Sequence, residues 1–260
     1  MRTAAPFVRA LLYLIIYVLI FMSTNEALSS HAPSPGLQAY FDRNPVMISV
    51  VANVLVVLVY MVMVRLQKQP FLEAVGCKPW NRSNLLLFVA IGISLGLFIA
   101  VFAQMPWVKQ YFPQIVRTVR YVTKGGGVFP VILGSVVVGS LMEEWLFRGL
   151  LFQAFHERLS GVLSVLLQAV LFGAVFMNVS VGIFAGIGAV IYGLVRYWSG
   201  STWPSLIVHI CSTGTLYFYT MIGIGQLDLQ AAGSLLVLAA GVLTVSLYRI
   251  TRGKRSVMHV

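Results

Sequence analysis

Residues 136–153 read VVVGSLMEEWLFRGLLFQ, with Glu143, Glu144 and Arg148 set inside an otherwise apolar run. A water-facing helix would gather such charges on one face and dilute the leucines and valines with polar residues. This run does neither, so its reading is a helix buried in a bilayer. Even insertion scales put a central charge at about 2.5 to 3.5 kcal/mol, so three of them need a compensating arrangement.

The rest of the chain agrees with a membrane setting. Of its 260 residues 59% are hydrophobic and only 10% are charged, with a mean hydropathy of +0.89. Soluble domains carry roughly a quarter charged residues, so cytosolic enzymes, secreted scaffolds and disordered tails are excluded. The formal charge of +11 comes from Lys and Arg lying mostly between apolar runs. That pattern sets orientation in a membrane and argues against a nucleic-acid partner. Cys77 and Cys211 have neither metal-ligand spacing nor an evident disulfide partnership.

Cutting at charged and turn-rich stretches predicts an all-α, polytopic helical bundle of about eight transmembrane helices. The spans fall near 8–28, 45–64, 84–104, 128–152, 159–178, 180–198, 203–224 and 230–248. Residues 29–44 and 67–83 read as loops, and 104–127 has room for an amphipathic surface helix before Gly125, Gly126 and Gly127. Arg2 and Arg9 precede a first apolar run without a small-x-small cleavage site, so that run reads as a retained helix. With eight spans, twelve Lys and Arg, including Arg2, Arg9, Arg196, Arg252, Lys254 and Arg255, fall on the side of the termini and five on the other. The expectation is cytoplasmic N- and C-termini. Compact size and minimal loops suggest a bacterial plasma membrane. Gly182 and Gly186 form a small-xxx-small face suited to close helix packing.

On a helix Glu144 and Arg148 are i and i+4 and can form an ion pair. Glu143 lies about 100° round from Glu144. Its carboxyl therefore has to be protonated, meet water in a cavity, or pair with another helix. His209, inside the seventh run TWPSLIVHICSTG, is a second intramembrane polar group, with Thr213 one turn later on its face. Buried acids and a histidine fit a general base, a helix-to-helix clamp, or a proton relay in a transporter. His31, His156 and His259 sit in loops or near ends.

The order of these groups resembles one known family. Glu143-Glu144-Trp-Leu-Phe-Arg148-Gly149 is similar to the EExxxR signature of the CAAX protease and bacteriocin-processing family (CPBP, also called ABI) of intramembrane peptidases. LQAVLFGAVF at 167–176 resembles its second motif region, and FAGIGAVIYGLVRYWSGSTWPSLIVHICST at 184–213 resembles its glycine-rich helix, WP turn and third motif. The resemblance covers about residues 128 to 215. It divides the chain into N-terminal spans with their loops (1–127), a core like that of the family (128–224), and a last span with a basic tail (225–260).

The resemblance implies an endopeptidase in which Glu143 activates water, helped by a histidine of an FxxxH motif. A histidine and an asparagine of an HxxxN motif stabilise the oxyanion. Two positions depart from it. Phe172 matches the start of the second motif but Phe176 stands at its histidine, and His209 is followed by Thr213 at the usual asparagine. Thr213 retains a donor, and losing one orienting group typically costs about 10² to 10³ in rate. Glu144 and Arg148 are expected to support the helix. The implied partners are membrane lipid and a peptide or membrane protein, such as a prenylated C-terminus, a leader peptide or a bacteriocin precursor. No cofactor or metal is expected: the family's use of a divalent metal is ambiguous, and the ligands here are incomplete. The alternatives are an inactive relative that binds partner helices or peptides through the same cavity, and a proton-coupled transporter.

Overall fold

The computed structural model describes residues 5–222 and 228–257, with side chains described up to Thr251. Arg2, His259, residue 224 at the predicted end of the seventh span and the side chains of Arg252, Lys254 and Arg255 lie outside the described residues. The described chain is helical throughout its spans and carries no strand. Eight helices form the bundle: α1 Ala5–Ser30, α2 Val46–Leu66, α3 Leu85–Phe102, α4 Val128–His156, α5 Gly161–Ala174, α6 Val179–Ser199, α7 Thr202–Ile222 and α8 Leu229–Val257. The protein is an all-α integral membrane bundle.

Among the described residues seven helices are long and apolar enough to cross a bilayer, and α5 is not. Its 14 residues rise about 21 Å, against a hydrocarbon core of about 30 Å. The predicted fifth span, 159–178, therefore stops early. Met177 takes a positive φ of 50°, and Asn178 then accepts a hydrogen bond from the Val181 amide as the N-cap of α6. The chain thus turns within the membrane, over residues that apolar composition alone extends as helix. Phe176 and Asn178 thus both lie in the connection between α5 and α6. Outside the spans, the stretch 29–44 differs from its reading as a loop, containing a helix, Pro35–Arg43, capped by Ser34. The long connection before α4 holds the amphipathic helix Pro113–Lys124, where the sequence left room for one.

Glycine sets the closest helix contacts. A Cβ on Gly173 would lie 2.4 Å from the Gly182 carbonyl oxygen, and one on Gly182 would lie 2.7 Å from that of Gly173. The backbones of α5 and α6 meet there, as the small-residue face predicts. On α4, a Cβ on Gly149 would lie 2.6 Å from the Val75 carbonyl oxygen, so the loop after α2 seats directly on that helix. Large apolar side chains such as Val170, Ile183 and Val237 face outward, as lipid-facing positions require.

The same loop holds Cys77 among buried apolar residues. Burial pushes its thiol up from its ordinary value, against the opposing effects of the nearby Trp145 indole and Arg196 guanidinium. A raised value means less thiolate at pH 7 and a rate that keeps climbing to higher pH. In a Cys211→Ser background, alkylation of Cys77 by a maleimide should be slower at pH 7 than that of a free cysteine peptide. Its half-maximal rate should come at a more alkaline pH. Stopped-flow or mass-spectrometric labelling across pH checks this, and a faster reaction would contradict the burial argument.

Candidate active site

Helix α4 carries the acidic pair in an unusual local geometry. Ile132–Gly139 and Glu144–Leu151 are wound as π-helix, separated by the α-helical turn Ser140–Glu143. Such widened turns occur mostly at functional sites, because they re-aim side chains that a regular helix would stack. Gly139 permits one of them: a Cβ there would lie 2.9 Å from the Gly134 carbonyl oxygen.

Glu144 and Arg148 form the expected pair, with Arg148 Nη1 3.2 Å from Glu144 Oε1 and both side chains fully buried. The guanidinium lies 4.9 Å from the Phe172 ring centroid and 5.1 Å from that of Tyr192. Its Nη2 donates to the Ala189 carbonyl at 3.2 Å. Arg148 is thus clamped between two aromatic faces from α5 and α6, a placement that offsets part of its desolvation.

The same Glu144 Oε1 is 3.0 Å from His209 Nδ1, and His209 Nε2 is 3.6 Å from Glu143 Oε2. The imidazole therefore stands between the two carboxylates, stacked on Tyr192 with ring centroids 4.4 Å apart and planes 17° from parallel. Arg148, Glu144, His209 and Glu143 form one continuous polar chain from α4 to α7 and back. Glu143 has no arginine partner of its own, and its side chain is 29% exposed. That exposure is to a cavity of about 700 Å³, whose wall includes Glu143, Phe172, Phe176, His209 and Thr213.

The WP turn that leads to His209 is buried under the loop after α2. Ser201 and Thr202 are fully buried; the Ser201 hydroxyl donates to the Lys78 carbonyl at 2.6 Å and the Thr202 hydroxyl to the Val75 carbonyl at 2.8 Å. The loop thus satisfies the turn's polar groups and fixes where α7 begins.

Arg196, counted in the sequence among the charges on the side of the termini, is buried, donating from Nε to the Arg148 carbonyl at 3.1 Å and lying over the Phe152 ring. Arg9 keeps its place near a helix end and pairs with Glu157. Composition could not separate these two arginines. The sequence also held no distinct signal for Tyr17, Asn53, Tyr192 and Ser212, which line the same cavity; a polar residue inside an apolar run, as at Asn53, is the nearest thing to one.

Residues 125–215 match the family model described as type II CAAX prenyl endopeptidase Rce1-like. Over that third of the chain the protein is similar to the CAAX proteases. The match spans the polar chain from Glu143 to His209, both glycine contacts between α5 and α6, and Phe176 and Thr213. No curated protein and no solved structure matches the chain. Among the described residues that line the cavity, Glu143 and His209 are the only carboxylate or imidazole side chains, because Glu144 is turned to Arg148 and His209 and Phe176 is apolar. Among the described residues no group of three or more His, Cys, Asp or Glu side chains is placed to hold a metal. A catalytic zinc takes three protein ligands, so this donor set does not fit one. The core packs against α1 and α2, which lie outside the matched residues yet wall the cavity through Tyr17 and Asn53.

Proposed function

We propose that this protein is an intramembrane endopeptidase of the CAAX-protease type, in which Glu143 activates water without a metal. The observation that carries the reading is the His209 imidazole held between Glu144 and the cavity-facing Glu143. A carboxylate on one ring nitrogen fixes the tautomer and aims the other, as in catalytic triads. Glu143 takes a proton from water as its oxygen attacks the scissile carbonyl carbon, and returns that proton to the leaving amine as the C–N bond breaks. With Nδ1–H committed to Glu144, Nε2 donates to the oxyanion only when the ring carries both protons. Two carboxylates, one guanidinium and one imidazolium then sum to zero, the neutral total a bilayer interior favours. Thr213 contributes its hydroxyl, a second donor to the oxyanion. Substrates of this reading are membrane-associated peptides or proteins, of which a prenylated C-terminus is the first class to assay. On the same reading the protein sits in a bacterial plasma membrane with both termini on the cytoplasmic side, a reading that the excess of Lys and Arg on that side supports.

One observation favours a second reading, an inactive relative that binds peptides or partner helices. Phe176 lies on the cavity wall where the motif has its histidine, with its ring 5.6 Å from that of Phe172. Cleavage of a panel of prenylated and unmodified peptides by the reconstituted protein, followed by mass spectrometry, separates the two. On the peptidase reading, Phe176→His accelerates cleavage by up to about 10²-fold, the usual worth of one water-orienting or oxyanion group. No cleavage by either chain, with peptide still bound, supports the binding-only reading.

A further inference from the structure

Asn53 lies on the cavity-facing side of α2, one turn beyond Ser49, and outside the residues that match the family. It is 4% exposed, its Oδ1 has no hydrogen-bond partner, and it lines the cavity that holds Glu143 and His209. An unpaired buried carbonyl oxygen is a net cost to folding, so a structural role does not account for it. A carboxamide has a donor end and an acceptor end, as a peptide group does, and rotation about its last bond exchanges them.

Its level in the bundle follows from packing. A Cβ on Gly134 would meet Val46 Cγ2 at 2.8 Å and Val50 Cγ2 at 3.2 Å, and the Val46 amide donates to the Gly125 carbonyl at 3.1 Å. Helices α2 and α4 therefore start side by side, and the loop after α2 returns to α4 at Gly149. The two run in the same direction. Counting from that contact, and allowing for the smaller rise of the π-helical stretch Ile132–Gly139, Asn53 lies roughly 4 to 6 Å before Glu143 along the axis. An extended peptide rises about 3.3 Å per residue, so this offset corresponds to about one to two residues.

We propose that Asn53 is a substrate-positioning residue that hydrogen-bonds a backbone amide of the bound peptide, about one to two residues from the bond facing Glu143. This rests on the peptidase reading of the cavity. It gives the N-terminal spans a specific task, holding the peptide in register while α4 and α7 act on it.

Binding without turnover tests it. In a Glu143→Gln background in nanodiscs, the probe is a dansylated, S-farnesylated heptapeptide together with a series in which each amide in turn is replaced by an ester. Asn53→Leu should weaken binding of the all-amide probe by about 3- to 10-fold, the worth of one neutral hydrogen bond. One ester position should weaken binding to a similar degree with Asn53 present and have no effect in the leucine variant. The unliganded melting temperature of Asn53→Leu should be equal or higher, because an unpaired polar group has been removed. If the leucine variant does not fold, Asn53→Ser carries the same comparison. Unchanged affinity, or a lower melting temperature with no position-specific ester effect, overturns the role of Asn53 alone. Failure of every peptide to bind either chain overturns the peptidase reading beneath it.

Discussion

Replacing Glu143 by glutamine should leave the bundle folded and lower peptide cleavage by about 10² to 10⁴-fold, the usual contribution of a general acid–base group. The size of the effect comes from the isolation of this carboxylate. It shares no salt bridge with Arg148, it faces the cavity, and its contact with His209 is a long one at 3.6 Å. Glutamine keeps the shape and a hydrogen-bonding oxygen but cannot accept the proton of an attacking water. The Arg148–Glu144–His209 part of the chain does not depend on Glu143 for its hydrogen bonds, so thermal stability in nanodiscs should change little. Cleavage products quantified by mass spectrometry, beside a melting curve of the same sample, make the comparison. Cleavage that persists at the original rate would remove the mechanism proposed for this chain.

Arg148→Ala should destabilise the folded protein by about 3 to 5 kcal/mol, the range found when one member of a buried ion pair is deleted. Glu144 is fully buried and its Oε2 has no hydrogen-bond partner even with the arginine present. Without Nη1 it loses its cationic partner on α4. The space between Phe172 and Tyr192 would be emptied as well, and the Ala189 carbonyl would lose one of its two side-chain donors, keeping Gln168 at 3.1 Å. Removing both charges with Glu144→Gln and Arg148→Met should cost less than the single change, because no unpaired charge is left behind. Reversible unfolding in mixed detergent or SDS measures both. A single variant within about 0.5 kcal/mol of the parent would mean that the pair contributes nothing net, as many exposed pairs do.

These two residues show how the site divides its labour. Arg148 and the aromatic rings around it hold Glu144 in place, and Glu144 aims His209. Only Glu143 and the far side of the imidazole meet the cavity. Burying the first half of the chain while wetting the second is what allows four ionisable groups to occupy a membrane interior without a surface position for any of them.

The sequence by itself determined the membrane setting, the location of most spans, the Glu144–Arg148 pair and the motif residues from which a site could be built. Each of these follows from local properties: the length of an apolar run, the 100° step of a helix, the spacing of motifs along the chain. Only the tertiary structure decided that His209 bonds Glu144 with one nitrogen while facing Glu143 with the other, since that depends on how the WP turn is held by the carbonyls of Val75 and Lys78. It also decided that the fifth helix ends at Ala174, that Arg196 is buried, and that Asn53 belongs to the cavity. A run of apolar residues fixes what a segment is soluble in. The neighbours it meets there are chosen by close backbone approach at glycines and by the need of each buried polar group for a partner, and both are properties of segments far apart in the chain.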